Sequence, residues 1–211
     1  MIETLVDFST TLGAIRNQHT RGMCLAFASS DFNQRENGLT DHLSVEYLAH
    51  HAAAATPNWA TGQGLDIPAV AIALAAPGQP FESAYPYQAT QHDQPMKPPP
   101  SIDGKLHACV IKQSGAVTHI VVQTLLATKP VCLGMALTDG WFSVQHGIIE
   151  YSTSYTNDLH AVLGVGLGLN PATNERFVLI RNSWGESWGN NGHAWLPERF
   201  LTTHLVASFI C

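Results

Sequence analysis

The chain has 211 residues, 45% of them apolar and only 12% charged, with a net charge of −6 when histidine is neutral. That length suits one domain, or one domain of two packed lobes, with apolar residues enough for a sizeable core. A charged fraction about half the usual ~25%, with an acidic balance and no run of like charges, speaks against the basic stripe that a nucleic-acid surface needs.

The first ten residues, MIETLVDFST, carry Glu3 and no basic cluster, so they do not read as a secretory signal. The longest apolar stretch, Ile67 to Ala76, is far shorter than the ~20 residues that span a membrane. Neither a nucleic-acid nor a membrane partner is expected. Four isolated cysteines, at 24, 109, 132 and 211, form no CxxC pair. They are expected to be reduced thiols in a cytoplasmic protein, with Cys109 and Cys132 packed as small core hydrophobes. Export by a route that needs no signal stays open. His42, His50 and His51 lie close in sequence, but no HExxH or Cys/His spacing orders them for zinc, so no metal or cofactor is expected.

The first half reads as helical. CLAFASSDFNQRENG places Leu25, Ala28 and Phe32 at helical spacing and stops at Asn37-Gly38. SVEYLAHHAAAA opens on Ser44, a good N-cap. DIPAVAIALAAPG has Asp66 as cap, Pro68 in the first turn and Pro77-Gly78 as stop; apolar on all sides, it is expected to be buried. Gln91 to Gly104 holds four prolines and predicts an extended connection. THIVVQTLLATKP predicts one more helix. Beyond Pro130 the segments VCLGMAL, GIIEY, AVLGVGLGL, FVLIRNS, GHAWLP and LVASFI are short, apolar and separated by Gly and Asn/Asp, which predicts antiparallel strands. Helices followed by strands give an α+β protein, with a cleft between the two lobes as the natural site.

The chemistry gathers in three stretches. In NQHTRGMCLAF, Cys24 stands where the first helical pattern begins, six residues after Gln18. The positive end of a helix lowers a thiol pKa, and so does a neighbouring imidazolium. NDLHAVLGVGLG places His160 just ahead of an apolar strand, and RFVLIRNSWGESWGNNG ends a strand at Asn182. His160 follows Cys24 by 136 positions, within the ~130–150 of a papain-type nucleophile and its histidine.

At these residues the chain resembles the papain-like cysteine peptidases, in family order over nearly its whole length. NQHTRGMCLAF resembles the family's NQGxCGSCWAF, LSVEYLAHHA its LSEQELVDC helix, GQG at 62–64 the glycine turn of the substrate cleft, and IRNSWGESWGNNG its VKNSWGxxWGExG. The YPY tripeptide at Tyr85 to Tyr87 is also frequent there. The resemblance implies a papain-like two-lobe fold, with a mainly helical lobe over about 12–105 and a mainly β, barrel-like lobe over 106–211. It implies a peptide or protein substrate and no cofactor. Cys24 is then the nucleophile, His160 the general acid/base, Asn182 the side chain that orients the imidazole, and Gln18 an oxyanion donor. Trp184 shields the His–Asn hydrogen bond, the Gly64 backbone pairs with an extended substrate, and Leu65 lines an apolar pocket.

The chain departs from the pattern in places. The family's first-lobe disulfide is absent, Leu25 replaces the Trp after the nucleophile, His19 replaces a Gly, and Leu159 precedes the histidine. These changes suggest a divergent, bacterial member, and no long pro-segment is expected ahead of Leu12. Three functions compete: a peptidase, acting as endo- or exopeptidase; a thiol-dependent protein deamidase or transamidase; and an inactive peptide-binding relative. The intact Cys24, His160, Asn182 and Gln18 speak against the last.

Overall fold

In a computed structural model of the chain, the residues described are 1–90, 95, 97–113, 115–127 and 129–210. A short strand β1 (Glu3–Asp7) comes first. Three helices follow: α1 (Cys24–Glu36), α2 (Val45–Ala55) and α3 (Ile67–Ala75). Local signals set their bounds. The Ser44 side chain accepts the Tyr47 N–H, and the Asp66 carboxylate accepts the Ala69 N–H. α1 runs out at Asn37, and Gly38 takes the left-handed turn that follows.

The second half holds β2 (Lys112–Gln113), α4 (Thr118–Leu126), β3 (Val131–Ala136), β4 (Leu159–Asn170), β5 (Glu175–Arg181), β6 (His193–Pro197), α5 (Arg199–Thr203) and β7 (Leu205–Ile210). All the strand pairings are antiparallel, in the order β2-β7-β3-β4-β5-β6, with β1 added on β4. β4 is the hub. Its first half pairs with β3 and its second half with β1, while β5 takes the other edge. Gly166 permits this crowding, because a Cβ there would lie 2.4 Å from the Val6 carbonyl oxygen. The architecture is α+β, as expected. α1 packs against β4 and β3, so its start and the start of β4 meet.

Four expectations need correction. The sheet is not barrel-like: among the described residues it stays open, with β2 and β6 as its end strands, not paired with each other. Closure needs a continuous ladder, and two-residue β2 offers too little backbone for one. α3 buries one face only. Ala69, Val70, Ala73 and Leu74 pack inward while Ile72 is 59% exposed, because α1 and α2 cover a single side of it. GIIEY forms no strand; Ile148 makes isolated bridges to Gln145 and Trp195. Cys109 is half-buried at the core margin rather than inside it, whereas Cys132 is fully buried.

β1 was not expected from the sequence. Its side chains are mostly exposed, so backbone pairing holds it and no apolar run marks it. Of the proline-rich connection, 95 and 97–104 carry neither helix nor strand, and Gln91 to Gln94 and Met96 lie outside the described residues, as does Cys211. No described helix is long and apolar enough to cross a membrane.

Candidate active site

Cys24 is the first residue of α1 and is half-buried. The backbones of Ala161, Leu25 and Cys24 itself lie close enough to its thiol to favour the thiolate. Ala161 is the residue after His160, so the helix start lies against the strand that carries the imidazole. The His160 side chain is buried, and its Nε2 lies 2.7 Å from Asn182 Oδ1. Asn182 follows β5, with its own N–H on the Gly192 carbonyl. The Ser183 N–H donates to the same Oδ1 at 2.8 Å. An N–H can meet only the oxygen of that amide, which fixes the Asn182 orientation. Nε2 therefore carries a proton, and in the neutral ring Nδ1 is left as the acceptor.

Burial pushes the Cys24 thiol up, although the three backbone contacts pull the other way. Burial also holds the His160 imidazole down at about 4, against the pull of Asn182. Each effect opposes a lone charge. A thiolate–imidazolium pair can thus form only as a pair, when one proton moved from Sγ to the ring creates both charges together.

Gln18 is buried beside this pair of elements. Its Oε1 accepts the Ser183 hydroxyl at 2.7 Å and its Nε2 donates to the Arg21 carbonyl at 2.8 Å. One amide hydrogen remains for a further acceptor. The Gln18 N–H donates to the Ser183 carbonyl, and the Gly185 N–H to that of Arg16. Gly185 has φ +83° and no room for a side chain, since a Cβ would lie 2.8 Å from Asn17 Nδ2. The loop bearing Gln18 is so held against the loop bearing Asn182.

Trp184 lies 4.6 Å from the His160 ring, centroid to centroid. Its other neighbour is Phe142, stacked at 5.5 Å and 63% exposed. Trp188 donates its Nε1–H to the Trp141 carbonyl, and fully buried Trp141 meets His160 edge-on at 6.0 Å. Gly64 is exposed and faces Gly22 backbone to backbone; a Cβ on Gly22 would lie 3.8 Å from Gly64 Cα. Leu65 is half-buried and packs on the core beside it. Among the described residues, no group of three or more His, Cys, Asp or Glu is placed to hold a metal ion.

The sequence profile of the papain family cysteine proteases matches residues 4–203. The chain belongs to that family. A cysteine proteinase of Theileria annulata is 38% identical over 116 residues, which are 54% of this chain and 24% of that protein. Cysteine protease 1 of Oryza sativa subsp. japonica is 26% identical over 203 residues, 89% of this chain and 38% of that protein. The chain therefore spans well under half the length of either relative. In fold it is similar to xylellain, a cysteine protease from Xylella fastidiosa, with a TM-score of 0.76 at 18% identity, covering 99% of this chain and 85% of that one.

Within this papain family framework the structure brings Cys24, His160, Asn182, Gln18 and Trp184 together, with Gly64 set across from Gly22. It adds groups that the sequence analysis did not single out. Ser183 fixes both amides, and its place inside the NSWG stretch was a signal. Trp141 and Phe142 had none, because DGWF belongs to no repeating pattern. Arg21 stands where the family's first-lobe cysteine is expected, two residues ahead of Met23-Cys24-Leu25.

Proposed function

We propose that this chain hydrolyses peptide bonds through a thioester intermediate. One observation carries the reading: the Cys24 thiol, at the start of α1, lies against the residue that follows His160, and the far nitrogen of that imidazole is held by Asn182. Cys24 Sγ attacks the carbonyl carbon and forms the S–C bond. The Cys24 N–H and the free amide hydrogen of Gln18 hold the developing oxyanion. His160 protonates the leaving amine as the C–N bond breaks. It then takes a proton from water, whose oxygen attacks the thioester and releases the acid and the thiol. Asn182 suits this cycle as a neutral orienter, and Trp184 keeps water from the His–Asn bond. Gly64 and Leu65 are the surface for the acyl side of an extended peptide. A cytoplasmic location and a bacterial source remain part of this proposal, on the isolated spacing of the four cysteines and the missing first-lobe disulfide.

Active-site titration with a papain-type epoxide, followed by digestion of a peptide library, tests it. Stoichiometric labelling of Cys24 with cleavage is expected. Labelling without cleavage would move the reading to amide transfer on protein side chains, and no labelling would leave an inactive relative.

A further inference from the structure

The carbonyl that takes the Gln18 amide belongs to Arg21, and Arg21 is itself held in an unusual way. Its side chain is 1% exposed. Nη1 and Nη2 meet the two carboxylate oxygens of fully buried Glu46, on α2, at 2.5 and 3.1 Å. Nη1 also donates to the Gln88 carbonyl at 3.1 Å, and the Gln88 N–H donates back to Glu46. The guanidinium lies 4.8 Å from the centre of the Tyr87 ring, and the Tyr87 hydroxyl donates to the Gln18 carbonyl at 2.9 Å. A forked guanidinium–carboxylate contact fixes direction as well as distance. Burial works against the Arg21 charge, and Glu46 more than offsets it.

Resting on the peptidase reading above, we infer that the Arg21–Glu46 pair is the device that positions the Gln18 amide for the oxyanion. It stands at the point where the family's disulfide would tie this loop down. Arg21 and Glu46 act through the Arg21 carbonyl and through Tyr87. Glu46 anchors Arg21 to α2, Arg21 places its own carbonyl, and that carbonyl turns the Gln18 amide so that one hydrogen is left free. Tyr87, shared between Arg21 and Gln18, closes the loop from its other side. An ion pair contains no bond that a reductant can break, so the tie holds in the reducing conditions that a thiol nucleophile favours.

The test is a double-mutant cycle between Glu46→Gln and Gln18→Ala, read by kcat and KM on a fluorogenic peptide and by the rate of Cys24 alkylation with iodoacetamide. Alkylation needs the thiol but no oxyanion hole. Glu46→Gln is expected to lower kcat about 10- to 100-fold, a part of what one oxyanion donor supplies, with KM and the alkylation rate within about twofold of wild type. In the Gln18→Ala background the same change is expected to have no further effect on kcat. Arg21→Lys, which keeps the charge and loses the fork, takes the place of Glu46→Gln in the cycle if the latter does not fold. Effects that multiply, or an alkylation rate that falls with kcat, would overturn the inference and leave the pair a general support of the fold. Absent hydrolysis and absent labelling in the wild type would instead overturn the peptidase reading on which it rests.

Discussion

Asp31 of α1 and Arg181 of β5 form a buried ion pair, Nε to Oδ2, at 2.7 Å. The pair ties the helix that begins with Cys24 to the strand that Asn182 follows. Arg16 meets the other oxygen of Asp31 at 2.6 Å, and Arg181 also donates to the carbonyls of Gly13 and Ala14. Cys24 and Asn182, the proposed nucleophile and orienter, thus share one electrostatic joint although they lie far apart in sequence.

Asp31→Asn is expected to destabilise the fold by about 3–5 kcal/mol at neutral pH, because it leaves the buried Arg181 guanidinium and the half-buried Arg16 without the Asp31 carboxylate. Burial alone would raise the Asp31 pKa, but Arg16 and Arg181 hold it at about 2. A carboxyl depressed from 3.8 to about 2 contributes about 2 kcal/mol of stability above the higher value. That part is lost as pH falls from about 4 to about 2. Urea unfolding of wild type and variant at pH 7 and across that window checks it. A gap between the two proteins that does not shrink on acidification would refute the joint.

Cys24→Ala is expected to abolish turnover of a fluorogenic peptide with little change in thermal midpoint. The side chain is half-buried, and its loss opens only a small space at the helix start. Residual turnover in this variant would remove Cys24 from the chemistry.

Gln18→Ala and Asn182→Ala should weaken the reaction by different routes. Loss of an oxyanion donor is expected to lower kcat about 10²–10³-fold and to leave Cys24 alkylation unchanged. Loss of the orienter frees the imidazole from its 2.7 Å bond. It is expected to lower kcat by one or two of the ~2–4 decades that a placed acid/base supplies, and to slow alkylation as well. Alkylation kinetics that fail to separate the two variants would argue against these roles.

The pH profile follows from the two buried groups. In the proposed mechanism the active form holds one proton between Cys24 and His160. Below about 4, the value at which burial holds His160, a second proton adds. At the alkaline end burial, which moves Cys24 upward, delays the loss of the last proton. The rate is therefore expected to be bell-shaped, with a broad plateau whose limbs belong to the pair. Iodoacetamide reactivity across pH locates the shared proton. A wild-type plateau below pH ~7, replaced in His160→Ala by a single rise at or above the ~8.5 of a free thiol, places it on the imidazole. A wild-type curve identical to that of His160→Ala would dissolve the pair.

The sequence by itself determined what depends on near neighbours. Ser44 and Asp66 cap their helices because a side-chain oxygen reaches an N–H three residues on. The strands of β3 to β7 are marked by apolar runs between turn residues. The ordered stretches around Cys24, His160 and Asn182 pointed to the family and to most of the site, since each is a compact local pattern. Tertiary structure alone decided what depends on partners distant in the chain. β1 exists because β4 offers it a free edge, and Ile72 is exposed because nothing covers its side of α3. Trp141 reaches His160 through a loop with no pattern of its own. The Asp31–Arg181 and Arg21–Glu46 pairs were equally invisible, being joined across 150 and 25 positions. A charged residue looks the same in sequence whether it faces water or a buried counterion, and only packing removes the water.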